Sequence, residues 1–334
     1  MLGPSGCGKT TTLRAIAGLN DIDEGEIYFD DKPIQNIAIE KRNIGMVFQH
    51  FEIFPNMDVW DNISFSGKIK NWSQKKIENE TLNALKLVNL IDKAGFFPEE
   101  LSGPELQRVG IARAIASGSK ILLLDEPLGA LDQRYRDEFR IDLRKLIKKI
   151  GYTAIHVTHD QDEAMMISDK IAVMRKGQML QVGTPNDLYT RPNSIFVANF
   201  IGESNFFVGY IEKKDDNESR ITLRSSDQKI YSINTKFEEL YRVVACIRKE
   251  LVKILPIDKE DNYSIIGTVK KTAFLGSYLR IFLELDNGET LEAKVTYPPK
   301  FDIKEGNQVK IKMHPENVLL YEYPDNLEYE LALE

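Results

Sequence analysis

Cysteine is nearly absent: the 334 residues hold only Cys7 and Cys246, far apart and unpatterned. That scarcity argues against a disulfide framework or a zinc site and fits a reducing compartment. Long apolar runs are missing too. No stretch approaches the eighteen or so apolar residues that would span a bilayer, so a chain soluble by itself is expected. No basic n-region with an apolar h-region opens the sequence, which predicts no secretion signal. There is no long Lys/Arg block and the net charge is −7, so no nucleic-acid partner is expected, and membrane lipid is no better supported. Solenoid repeats and low-complexity tracts are lacking as well. What remains is a chain with 42% hydrophobic and 28% charged residues, long enough for two domains with a sizeable core each.

Close to the first residue stands Gly3-Pro4-Ser5-Gly6-Cys7-Gly8-Lys9-Thr10, followed by Thr11. It satisfies every fixed position of the phosphate-binding pattern G-x-x-x-x-G-K-[ST]. The spacing has a chemical reason. Glycines let successive backbone N–H groups curl around phosphates, Lys9 reaches the β and γ groups, and the Thr10 hydroxyl ligates Mg²⁺. A helix opening at Lys9 adds its positive end, and Cys7 reads as a small loop residue. A phosphate loop ordinarily follows a buried strand, yet only Met1 and Leu2 precede Gly3. Either the true start lies upstream or a central strand of the sheet is missing.

Further along, Thr10 to Ala17 reads as a helix stopped by Gly18, and Gly25 to Phe29 as a strand before the turn Asp30-Asp31. Ile44 to Phe48 is another apolar strand. Ile77, Leu82, Leu85, Val88 and Ile91 recur at helical spacing, which predicts an amphipathic helix over 73–91. Ile121-Leu122-Leu123-Leu124 is a continuous apolar run, as in a parallel strand buried on both faces. Phe139 to Ile150 marks a helix stopped by Gly151, and Thr153 to Val157 the next strand. Alternating strands and helices predict a doubly wound α/β domain. Beyond about Gly202 the texture turns to short strands and turns, such as Tyr278 to Leu285, Asp286-Asn287-Gly288 and Thr290 to Val295. An all-β half of the oligonucleotide/oligosaccharide-binding barrel kind is expected there, with a sandwich as the alternative that hairpin counting leaves open.

Asp125 closes the apolar run and Glu126 follows it. A carboxylate at the carboxyl end of a buried strand can hold Mg²⁺, and a second one beside it is placed to orient and deprotonate an attacking water. With these motifs in this order, residues 1 to about 200 resemble the ATP-binding subunits of ABC transporters. The resemblance implies an α/β P-loop ATPase domain with a helical subdomain over 1–204, lacking its N-terminal strands, and a small all-β OB-like regulatory domain over 205–334. It implies ATP and Mg²⁺ as cofactors. By the same resemblance Gln49 touches Mg²⁺ and senses the transmembrane partner, Leu131-Asp132 matches the D-loop, and His159 hydrogen-bonds the γ-phosphate. Glu126, His159 and Gln49 are thus the expected catalytic set, and Thr10, Gln49 and Asp125 the expected metal ligands.

The signature segment departs from the family's L-S-G-G-Q: Leu101-Ser102-Gly103-Pro104-Glu105 stands in its place. In the family this helix tip covers the γ-phosphate held by the other subunit, so Ser102 and Gly103 are the expected contacts. Pro104 offers no N–H, although proline suits a first helical turn and Ser102-x-x-Glu105 is a capping-box pattern. Glu105 brings a negative charge toward the triphosphate, worth on the order of 1 to 4 kcal/mol against binding. A weaker ATP-closed dimer is expected.

His50-Phe51-Glu52-Ile53-Phe54-Pro55-Asn56-Met57, with exposed-looking aromatics beside Gln49, is a candidate dock for a permease helix, or else a packed loop. Phe200 to Phe206 resembles the junction into the regulatory domain of importer ATPases. Gly276-Ser277-Tyr278-Leu279, Asn287-Gly288 and His314-Pro315-Glu316-Asn317-Val318 most resemble the spermidine/putrescine importer group. The resemblance therefore implies an energy-coupling ATPase that works as a homodimer with two permease subunits, served indirectly by an extracytoplasmic solute-binding protein. Its expected place is peripheral, on the cytoplasmic face of the cell membrane. The alternatives are an importer ATPase for sugar, sulfate, phosphonate or iron, a soluble ABC ATPase of DNA repair or translation, or a catalytically poor product.

Overall fold

In the computed structural model the first helix, α1 (Lys9–Ala17), begins at Gly8 and ends at Gly18, both in the left-handed region. The end is a Schellman turn: the Gly18 N–H reaches the Ala15 carbonyl and the Leu19 N–H the Arg14 carbonyl. Beneath it the buried Arg42 guanidinium donates to the carbonyls of Ala15 and Ile16 at 2.9 Å each, a cation where the helix dipole is negative. A short hairpin, β1 (Tyr28–Phe29) with β2 (Lys32–Pro33), replaces the longer strand expected from Gly25 onward. β3 (Ile44–Val47) leads into a helical layer of α2 (Val59–Ile69), α3 (Gln74–Leu87) and α4 (Gly103–Ala116). α3 stops short of the expected Ile91 because Asn89 adopts a φ of 56°, and the Leu90 N–H turns back to the Leu85 carbonyl.

β4 (Ile121–Asp125), α5 (Gln133–Ile150), β5 (Thr153–Val157), α6 (Gln161–Ile167), β6 (Ile171–Arg175) and β7 (Gln178–Gly183) complete the α/β part. β3, β4 and β5 are parallel, with Ile44 opposite Ile121 and Ile121 opposite Thr153. Leu2 forms parallel bridges to both Thr158 and Val173, so the residue before the phosphate loop lies between the end of β5 and β6. The apolar run of β4 is explained by its two covered faces. Leu123 packs with Leu13 and Ala17 of α1, whereas Leu122 and Leu124 join Ile111 and Leu143 in the core under α4 and α5.

After α7 (Pro185–Thr190) and α8 (Ile195–Phe200) the chain is β-rich: β8 (Ser204–Lys214), β9 (Ser219–Leu223), β10 (Lys229–Ser232), β11 (Arg242–Arg248), β12 (Lys253–Leu255), β13 (Ser264–Phe274), β14 (Tyr278–Leu285), β15 (Thr290–Thr296), β16 (Gln308–Lys312) and β17 (Leu319–Glu322), with α9 (Leu327–Leu331) last. They form two five-stranded antiparallel sheets, β10-β9-β8-β11-β17 and β12-β16-β13-β14-β15. Both sheets face one core, in which Phe207, Ile221 and Val243 of the first meet Val269, Ile281 and Ile311 of the second.

The structure describes residues 1–49, 52–129, 133–214 and 217–333. They divide into two compact units, Met1–Asp187 and Leu188–Leu333, a division that falls ahead of the compositional boundary at 204/205. The reason lies in Arg248 of β11, which is 4% exposed. Its guanidinium donates to the carbonyls of Ala198 (2.6 Å), Ile201 (2.5 Å) and Tyr189 (2.8 Å) and to the Ser204 hydroxyl (2.8 Å), fastening α8 to the β unit. Arg248→Ala removes all four bonds and leaves buried carbonyls unpaired. Urea denaturation should show a loss of about 2–4 kcal/mol.

Candidate active site

The phosphate loop is anchored on both sides by backbone pairing. The Leu2 N–H donates to the Ala172 carbonyl, and the Met174 N–H to the Leu2 carbonyl. Gly3 is required by close approach, since a Cβ there would lie 2.2 Å from the Met174 carbonyl oxygen. Gly8 is required by its φ of +100°. Around this turn Pro4, Ser5, Gly6 and Cys7 lead into Lys9, Thr10 and Thr11 at the start of α1, whose first turn carries no acidic side chain. An unopposed helix N-terminus beside a glycine turn is an anion site. Lys9 is buried, and its Nζ donates to the carbonyls of Gly3 and Pro4 at 2.8 Å each. Cys7 is buried with its Sγ 3.8 Å from that Nζ, which bears out its reading as a small loop residue.

The end of β4 supplies both carboxylates. The Thr10 hydroxyl donates to Asp125 Oδ1 at 2.9 Å across the end of β4. Glu126 turns off the strand with a φ of 44°, a backbone conformation that costs a non-glycine residue free energy and clusters at functional sites. Its N–H is tied to the Val157 carbonyl. The turn aims the carboxylate at two other predicted residues: Oε1 lies 3.3 Å from His159 Nδ1, and Oε2 lies 3.5 Å from Gln49 Nε2. Gln49, Glu126 and His159, far apart in the chain, thus converge beside the Thr10–Asp125 pair. The oxygen donors of Thr10, Asp125 and Gln49 are hard ligands of the kind Mg²⁺ accepts together with waters and substrate phosphates. Among the described residues no group of three or more His, Cys, Asp or Glu side chains forms a self-sufficient metal cage.

Ser102 and Gly103 lie elsewhere, at the N-terminus of α4, which packs on α2, α3 and β3. The expectation of a bare negative charge at Glu105 needs correction. Its carboxylate accepts from the Ser102 N–H at 2.9 Å and the Ser102 hydroxyl at 2.8 Å, and its other oxygen pairs with Lys93. The hydrogen bond and charge of Lys93, with the Ser102 N–H, hold the Glu105 carboxyl down at about 2. The charge is therefore offset locally, but the Ser102 hydroxyl is committed to it. Replacing Pro104→Gly with Glu105→Gln should strengthen ATP-induced dimerisation about tenfold, read by light scattering with a hydrolysis-deficient background. Unchanged dimerisation would show that the altered signature is neutral. Because the folded carboxyl titrates below its ordinary range, its contribution to stability is complete above about pH 5 and is lost as pH falls from 4.5 toward about 2. Glu105→Gln should flatten the acid limb of the stability profile over that interval.

Sequence reasoning missed Lys93, which no local pattern marks. It also missed Gln107, buried in α4, whose amide donates to the Pro127 carbonyl and so ties the signature helix to the turn after Glu126. The candidate dock is partly corrected. Ile53 packs into the core, and Phe54 lies 4.6 Å from the Phe65 ring with its backbone bonded to Asn62, so these two are packed rather than presented. His50, Phe51 and the D-loop pair Leu131-Asp132 lie outside the described residues.

The profile of the ABC transporter family matches residues 1–129, and that of the TOBE domain matches residues 245–320. The spermidine/putrescine import ATP-binding protein PotA of Trichormus variabilis is 40% identical over 291 residues, covering 86% of this chain and 76% of that protein. This chain belongs to the ABC transporter family of ATP-binding proteins. The same-named protein of Clostridioides difficile is 38% identical over 326 residues, covering 98% of this chain and 90% of its own length. That of Aliivibrio fischeri is 40% identical over 289 residues, with 86% and 77% covered. The ABC transporter match lies within the first unit and the TOBE match within the second. No helix among the described residues is long and apolar enough to cross a membrane.

Proposed function

We propose that this chain is the ATP-hydrolysing, energy-coupling subunit of a polyamine importer. The observation that carries the reading is the convergence of Gln49, Glu126 and His159 beside Thr10 and Asp125 at one end of a parallel sheet. In this reading residues 1–204 are the ATP-binding domain and 205–334 the β-barrel-like regulatory domain. ATP lies with its phosphates in the turn from Gly3 to Gly8, and the N–H groups of Lys9, Thr10 and Thr11 add the positive end of α1. Lys9 exchanges the carbonyls of Gly3 and Pro4 for the β and γ oxygens. The Thr10 hydroxyl, the Asp125 carboxylate and the Gln49 amide would hold Mg²⁺, which when bound neutralises charge on the transferring phosphoryl group. Glu126 takes a proton from the attacking water as the water oxygen bonds to the γ-phosphorus and the bond from that phosphorus to the β–γ bridging oxygen breaks, giving ADP and inorganic phosphate. His159 donates a hydrogen bond to a γ oxygen, and Lys9 balances the charge that remains on ADP.

The phosphate lies between two copies of the chain, with Ser102 and Gly103 of the second copy covering the γ group. Closure of the pair works on two permease subunits at the cytoplasmic face of the membrane, where a solute-binding protein delivers cargo from outside. The polyamine class is supported by the names of the relatives, which match over most of this chain's length. The test is uptake of radiolabelled spermidine by cells deleted for this chain. Restoration by the parent and not by Glu126→Gln is the expected result. Restored uptake of another solute, with spermidine uptake unaffected by the deletion, would reassign the cargo.

A further inference from the structure

Behind the exposed His159 lies a buried constellation that the hydrolysis scheme does not use. Glu163, on α6, is 4% exposed, and His156, on β5, is 8% exposed. Glu163 Oε1 lies 2.8 Å from His156 Nε2, and its Oε2 accepts the Thr158 hydroxyl at 2.6 Å. Thr158 Oγ1 in turn accepts the Asp160 N–H at 3.0 Å. Asp160 closes the ring: its Oδ1 accepts the Glu163 N–H at 2.9 Å, and its Oδ2 takes the buried Arg140 guanidinium at 2.5 Å. The residues on either side of His159 are therefore both fixed by side chains. The imidazole between them is 58% exposed and touches the site through the 3.3 Å approach of its Nδ1 to Glu126.

We propose that Glu163, acting through Thr158 and Asp160, is the positioning residue for His159, with the His156 ring packed against the other oxygen of its carboxyl. An exposed side chain on a turn gains little orientation from its own surroundings, so its placement must come from the backbone that bears it. The Glu163 carboxyl accepts the Thr158 hydroxyl through Oε2, while its Oε1 lies against His156 Nε2 without hydrogen-bond alignment; the bond and the contact together restrict the carboxyl and so fix Thr158 and with it the turn. Neither Glu163 nor His156 touches the expected position of substrate, and neither is a catalytic residue.

The kinetic arm of the test rests on the ATPase reading above; the spectroscopic arm does not. The chain holds four histidines, so the ring Cε1–H resonances of the full-length protein can be assigned by single substitution, His159→Gln marking the relevant one. Glu163→Ala and the near-isosteric Thr158→Val should both displace or broaden the His159 resonance, while Glu163→Gln, which keeps an oxygen for the Thr158 hydroxyl, should leave it close to its parent position. In ATPase assays Glu163→Ala should lower kcat about tenfold or more, with the dissociation constant for a fluorescent ATP analogue unchanged within about twofold. Glu163→Gln should recover most of the rate. Placed on His159→Ala, Glu163→Ala should cost nothing further, because its effect passes through that ring. A His159 resonance untouched by both Glu163→Ala and Thr158→Val overturns the proposal, as does a rate loss that adds in full to that of His159→Ala. A displaced resonance in a parent chain that hydrolyses no ATP would sustain the positioning role and sink the ATPase reading instead. Should Glu163→Ala fail to fold, Thr158→Val and Glu163→Gln decide the matter.

Discussion

Glu126→Gln is expected to lower ATP turnover by about 10²- to 10⁴-fold, the range for loss of a general base, while nucleotide binding persists. The substitution keeps shape and hydrogen-bonding reach and removes only the ability to accept a proton. Glu126 suits that role on three structural grounds. Its φ of 44° turns the side chain off the sheet, its N–H is fixed to Val157, and its carboxylate stands between Gln49 and His159. The glycine turn is built from other residues, Gly3 to Gly8, so phosphate binding and water activation are separable. Single-turnover kinetics against equilibrium binding of a fluorescent ATP analogue measures both. Equal turnover in parent and variant would remove Glu126 from the mechanism, and loss of binding with loss of turnover would make it a structural residue of the pocket.

Lys9→Ala should produce the complementary result, a fall in nucleotide affinity of about 10- to 100-fold, as for a charge-assisted hydrogen bond worth roughly 1.5–3 kcal/mol. The Lys9 ammonium is buried and held by the carbonyls of Gly3 and Pro4 within the turn it serves. Its removal takes a positive charge from the phosphate site and unties the turn. Isothermal titration with ATP and with ADP should show the larger loss for ATP, because Lys9 reaches the γ as well as the β group. Equal losses would place its contact on the β-phosphate alone.

Much of the site could be read without coordinates because its chemistry is written locally. Gly3, Gly8 and Lys9, with a hydroxyl residue at Thr10, must be those residue types at those offsets, and the apolar strand ending in Asp125-Glu126 suits a sheet buried on both faces, which β4 occupies. Gln49 and His159 needed the resemblance to a family, since a lone Gln or His carries little information. The helix after Thr10 and the strand from Thr153 were legible because glycine caps and apolar period fix such elements within a few residues.

Tertiary structure decided the rest, through pairings between residues that no spacing connects. The expected strand from Gly25 shrank to two residues at Tyr28–Phe29, and residues 188–204 joined the β unit because Arg248, far along the chain, bonds to their carbonyls. Glu105 was visible as a charge in the signature, and its return onto Ser102 as a capping-box pattern, but only the fold supplied Lys93 to offset it. Likewise His156, Thr158 and Glu163 are unremarkable as letters and become one buried unit only when α6 folds over the end of β5. Residue type and order select a phosphate-binding α/β chain because those constraints act within a turn or a strand. The orientation of the reacting side chains comes from long-range burial and hydrogen bonding, which depend on what the fold brings within 3 Å and so cannot be read from neighbours in sequence.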